Sequence, residues 1–105
     1  MESTKNQYIY VLKLIERLLK TENWNKREEE IVEKHFKNLE KLLKEKVLVL
    51  AGKTEGLNEK TFGIVIIETY NKEEAESIMK NDPAVKEGIM TAELYPYKIA
   101  LMRKC

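Results

Sequence analysis

The sequence predicts an α+β sandwich of the order βαββαβ, in which a four-stranded antiparallel sheet carries both helices on one face. Three observations predict it. Two segments show helical periodicity behind N-capping residues, four show β-branched or aromatic runs, and each helical segment falls between two strands. That order joins two right-handed βαβ crossovers through the connection between the middle strands. The 105 residues, 43% of them apolar and 35% charged, are read as one domain spanning residues 1–105 with a single core and a well-solvated surface.

Residues 8–16 (YIYVLKLIE) are β-branched and aromatic, bounded by polar residues and too short for an independent helix, so they form the first predicted strand. Residues 21–25 read as a polar link. Asn25 with Glu28 three residues later fits a capping box in which Asn replaces Ser or Thr. Ile31, Val32, Phe36, Leu39, Leu42 and Leu43 then fall within one apolar arc of about 140°, which predicts a helix from residue 26 to about residue 46. Residues 47–51 are a short, continuously apolar second strand. Residues 52–60 hold two glycines and no regular pattern, so they read as a loop. Residues 61–69 (TFGIVIIET) are the third strand. Asn71 as N-cap and Glu74 open the second helix, whose buried stripe is Ala75, Ile78 and Met79. Asp82-Pro83 starts a further turn, because Asp suits the N-cap and Pro the first helical position, and Gly88 ends it. Residues 89–102 are the fourth strand, with Pro96 marking an edge position or a bulge. The arrangement is that of a ferredoxin-like sandwich.

Helices on one face only should leave alternating apolar and polar strand positions. The strands disobey. The first carries Tyr8, Tyr10, Leu12 and Leu14 on one face and Ile9, Val11 and Ile15 on the other, and the third is as apolar on both sides. A bare sheet face of that kind exceeds what monomers expose. A homodimer through the sheet face opposite the helices is therefore expected.

The composition narrows the function. Nineteen Lys and Arg against eighteen Asp and Glu leave a net charge of +1, which gives no footprint for nucleic acid. No apolar run approaches the length of a membrane span, and the polar first residues show no signal-peptide pattern, so a cytoplasmic protein is expected. The lone cysteine, Cys105, excludes a disulfide framework or a Cys-based zinc site within one chain. Neither Ser3 nor Ser77 lies in a nucleophile elbow, and no Gly-rich loop precedes a helix. No cofactor and no metal are expected, and the partner is a small-molecule ligand.

Any imidazole chemistry must run through one residue, His35. On the helical wheel it points inward among leucines. It is either a core histidine bonded to a backbone carbonyl or a general base or acid in a pocket between helix and sheet; a free imidazole titrates at about 6.5, near neutrality. Asp82 is the sole aspartate beside seventeen glutamates. An N-cap before proline needs a short side chain, and a capping carboxylate keeps lone pairs free to orient an imidazole. Glu28 reads as the capping-box residue. Lys53, after Gly52, is a cation either solvated on its loop or bent over a pocket, and Gly52 reads as a turn requirement or a ligand contact.

His35, the run Leu48–Gly52, Asn71-Lys-Glu-Glu-Ala, Asn81-Asp-Pro-Ala-Val-Lys-Glu-Gly and Leu94-Tyr-Pro-Tyr together resemble the YCII-related domain family, over nearly the whole chain. The resemblance implies a dimeric α+β barrel in which two ferredoxin-like sheets pack face to face. It implies an active site built on His35 and Asp82, and relatives of known activity act on small cyclic compounds. The chain departs from the family at Ala51-Gly52-Lys53, where many members have Ala-Gly-Pro. Two functions follow as expectations. One is lyase- or isomerase-type acid–base chemistry on a small cyclic substrate through His35 and Asp82, with Gly52 and Lys53 contacting substrate. The other is a non-catalytic module for small-molecule binding or oligomerisation.

Overall fold

Four strands, β1 (Asn6–Leu14), β2 (Leu48–Lys53), β3 (Gly63–Thr69) and β4 (Met90–Tyr97), form one antiparallel sheet in the order β2-β3-β1-β4. The computed structural model describes residues 4–103; Ser3 and Cys105 lie outside the described residues. Helices α1 (Lys26–Lys44) and α2 (Lys72–Asn81) and the single turn α3 (Pro83–Lys86) complete the ferredoxin-like α+β sandwich. α1 starts where the capping box places it: Asn25 Oδ1 accepts from the Arg27 amide at 2.9 Å, and Glu28 Oε1 accepts from the Asn25 amide at 3.2 Å. It ends with Lys46 in the left-handed region (φ 63°), where the Val47 amide returns to the Leu42 carbonyl at 2.9 Å.

Alternation along the strands sends Tyr8, Tyr10 and Leu12 of β1, Val65 and Ile67 of β3 and Leu48 of β2 to the helical side. There they pack on Leu39 and Leu42 of α1 and Ala75 and Met79 of α2. A second cluster of Leu18, Ile31, Ala84 and Ile89 closes the end of the sandwich where α3 returns to the sheet. On the opposite face Ile9, Val11 and Ile64 are half-buried, Ile66 is buried, and Leu50, Tyr95 and Tyr97 are exposed.

Four sequence expectations need correction. β1 stops at Leu14: one last bond, from the Ile15 amide to the Ile89 carbonyl at 3.1 Å, follows the ladder, and the Leu18 amide then returns to the Ile15 carbonyl at 3.0 Å as the chain turns into two 3₁₀ turns, Glu16–Leu19 and Thr21–Asn23, with Leu18 fully buried. β2 runs on through Gly52 and Lys53, since Ile64 and Gly63 of β3 continue the ladder opposite them. Gly52 is therefore a strand residue without a positive φ, not a turn. The α1 stripe is narrower than its apolar arc: Ile31, Leu39 and Leu42 are buried, but Phe36 is 61% and Leu43 54% exposed. β4 ends at Tyr97, opposite Gln7, near the start of β1; it is an edge strand, which accommodates Pro96. The connection between β2 and β3 is folded on itself, with the Thr54 amide on the Phe62 carbonyl at 2.9 Å and the Lys13 ammonium on the Glu59 carbonyl at 2.9 Å.

Candidate active site

Asp82 ends α2 and caps α3. Its Oδ1 accepts from the Ala84 amide at 3.0 Å, and Pro83 holds the first helical position. The cap directs a fully buried carboxylate toward the middle of α1. His35, inward on that helix and 12% exposed, meets it with Nδ1 at 2.6 Å from Oδ1. Residues 47 apart in sequence thus share one hydrogen bond. The other carboxylate oxygen, Oδ2, accepts from the Tyr10 hydroxyl at 2.9 Å. Burial, then the Asp82 charge and its hydrogen bond, push the Tyr10 phenol far above the ordinary tyrosine range, so it stays a donor.

This arrangement sets the tautomer. A carboxylate surrounded by an amide and a hydroxyl that donate to it leaves Nδ1 to donate as well, so the neutral imidazole keeps its lone pair on Nε2. Among the described residues nothing bonds Nε2, and His35 lines a cavity of about 380 Å³ between α1 and the open end of the sheet. That volume lies within the range of small-molecule sites. Its walls are apolar, among them Leu12, Trp24, Phe36, Leu39, Phe62 and Met90; the polar side chains on it are His35, Lys53 and Thr61, with the Trp24 indole N–H already donating to the Leu18 carbonyl at 2.9 Å. Gly52 and Lys53 lie on the same cavity as His35, at the end of β2. The Lys53 ammonium donates to the Thr54 carbonyl at 3.0 Å. Asp82 is not on the cavity wall and touches it through the imidazole. No group of three metal-ligating side chains occurs among the described residues, and none of their helices is long and apolar enough to cross a membrane.

Sequence reasoning missed Tyr10 and Trp24 as parts of this site. Tyr10 carried a usable signal, because a tyrosine facing the core from an inner strand must find a hydrogen-bond partner. It also underread Glu28. That residue caps α1 but is 2% exposed and ion-paired to Arg17 at 2.9 Å, which ties the 3₁₀ turns beside the cavity to the helix start. The Arg17 hydrogen bond, opposed by burial, holds the Glu28 carboxyl below the usual glutamate range. An ordinary glutamate titrates near about 4.3. The stabilisation is therefore present above that value and is lost as pH falls through the lower folded value. Urea denaturation at pH 7 and at pH 3.5 should show a smaller difference in stability for Arg17→Met than for the parent chain; an equal difference would contradict the assignment.

Comparison with solved structures gives 5-chloro-2-hydroxyhydroquinone dehydrochlorinase from Burkholderia phenoliruptrix, in complex with 2,5-dihydroxybenzoquinone, at a TM-score of 0.66 and 20% identity over 88% of this chain and 93% of that one. An uncharacterised protein from Thermotoga maritima matches at a TM-score of 0.49 and 12% identity, over 90% of this chain and 99% of that one. No curated protein matches. The first likeness is one of fold: the same sandwich of a four-stranded antiparallel sheet and helices. The model of the YCII-related domain matches residues 10–98, from the buried Tyr10 through α1, β2 and the Asp82-Pro83 cap to the end of the sheet, and the chain belongs to that family.

Proposed function

We propose that this chain is an acid–base catalyst of the lyase or isomerase type acting on a small cyclic compound. The observation that carries the reading is the imidazole itself. Its Nδ1 is tied to a buried carboxylate, and its Nε2 is left for an apolar cavity of about 380 Å³. In the proposed step Nε2 takes a proton from the substrate, and Asp82 stabilises the imidazolium that forms. The substrate anion then expels a leaving group or takes the proton back at another atom. The Lys53 ammonium is the cation available to the negative charge that develops, and Gly52 leaves the cavity edge beside it open.

The solved relative suggests the first compounds to try. Binding of 2,5-dihydroxybenzoquinone should quench the fluorescence of Trp24, the sole tryptophan, which lines the cavity. Chloride release from 5-chloro-2-hydroxyhydroquinone, with a panel of related cyclic enols, tests turnover. Binding with no turnover of any member would favour the binding-module reading instead.

The apolar outer sheet face supports a homodimer, with a second sheet covering Ile9, Val11, Leu50, Ile64 and Tyr95. Leu50 and Tyr95 are 43% and 46% exposed in the single chain, while Ile66 between them is already buried. Light scattering at micromolar concentration should give about twice the 12.4 kDa chain mass, and Val11→Lys should return the monomer. A parent chain that scatters as a monomer would sink this.

A further inference from the structure

Tyr10 sits in the middle of β1 with no exposure to solvent, and among the described residues its hydroxyl has one partner, Asp82 Oδ2 at 2.9 Å. An aromatic residue that served only to fill the core would carry no hydroxyl here, since a buried hydroxyl must be matched. The carboxylate it meets is the group that holds His35. Its Oδ1 is shared between the Ala84 amide at 3.0 Å and His35 Nδ1 at 2.6 Å, so Tyr10 alone holds Oδ2. Two anchors, one on each oxygen, fix the rotation of the carboxylate and aim Oδ1 at the imidazole.

From this geometry we propose that Tyr10 is a positioning residue for His35, acting through Asp82 to hold the imidazole in place and to limit how strongly the carboxylate favours its protonated form. The inference rests on the acid–base reading of the cavity. The physics is one of shared charge. A hydroxyl that donates to Oδ2 draws off part of the negative charge that would otherwise act on Nδ1. The imidazolium is then steadied less than a bare carboxylate would steady it. The groups that face the imidazole are Asp82 from the α2–α3 junction, Tyr10 behind it on β1 and Lys53 from β2 across the cavity. On α1 itself Ile31, Val32 and Leu39 surround it. Of these, Asp82 and Tyr10 lie off the cavity wall, and Tyr10 reaches Nδ1 only through the Asp82 carboxylate.

The test uses the single histidine as its own reporter. The imidazole carbon-bound proton of the full chain is titrated by NMR, without ligand. Tyr10→Phe should move its midpoint to higher pH by about half to one pH unit, which leaves roughly three- to tenfold less neutral base on the acid side. The second arm places 3-fluorotyrosine at position 10. It keeps the shape and donates more strongly, so the midpoint should move to lower pH, and this arm stands if the phenylalanine variant fails to fold. Midpoints that coincide with the parent's in the folded variants overturn the proposal and leave Tyr10 as a filler of the core. Where turnover is measured, the acid limb of the pH–rate profile should move with the midpoint. His35→Gln separates the two ideas: a variant as active as the parent overturns the acid–base reading, while the ligand-free titration still decides the role of Tyr10.

Discussion

His35→Gln is expected to lower turnover by about 10²–10⁴-fold, the usual contribution of a positioned general base, while the chain stays folded. The fold is expected to survive because little else leans on the imidazole. It is 12% exposed, and Asp82 Oδ1 keeps the Ala84 amide when the imidazole is gone. The cost should be on the order of one hydrogen bond, about 1 kcal/mol. The glutamine amide can reach toward Asp82 but offers the cavity no group that accepts a proton at neutral pH. Ligand binding, followed by the fluorescence of Trp24, should weaken far less than turnover falls, since the apolar walls remain. Equal turnover in parent and variant would end the acid–base reading.

The sequence disclosed the sandwich because its helices announce their own starts. Asn25 with Glu28, Asn71 with Glu74, and Asp82 before Pro83 are local devices, and each one caps the helix expected of it. Strand limits were less legible because partners set them. Nothing within residues 47–53 says that the ladder continues to Lys53; Gly63 and Ile64 of another strand decide it. Leu18 looks like a continuation of the apolar first strand. Its burial depends on Ile31, Ala84 and Ile89, which come from three distant segments.

The candidate site was half legible for a related reason. A lone histidine on the apolar face of a helix and a lone aspartate before proline are visible in composition and periodicity. Family resemblance, not spacing, joined them. Tyr10 was hidden among residues of the same apolar class, and only the fold shows that its hydroxyl ends on a carboxylate rather than on a backbone carbonyl. Phe36 shows the opposite error. Its place in the apolar arc suggests the core, yet it hangs at the cavity, 61% exposed. A helical wheel measures direction around an axis and not whether a partner waits there.

Asp82 offers the sharpest separation between structure and the proposed chemistry, because the cap needs only an acceptor oxygen at Oδ1 whereas the proposed chemistry needs the negative charge as well. Asp82→Ala removes the cap of α3 and strands the buried Tyr10 hydroxyl, which together should cost about 2–4 kcal/mol and lower Tm by on the order of 10–20 °C. Activity should vanish with it, but loss from a weakened fold decides little. Asp82→Asn is the informative change. The amide oxygen can still accept from the Ala84 amide and from His35 Nδ1, as asparagine caps helices about as well as aspartate. The amide nitrogen then faces the Tyr10 hydroxyl, which turns to accept. Tm should stay within about 5 °C of the parent. What is lost is the charge that steadies an imidazolium, so turnover should fall by about 10²-fold or more. An asparagine chain that unfolds no more easily and turns over as fast would return Asp82 to a helix cap whose contact with His35 has no chemical consequence.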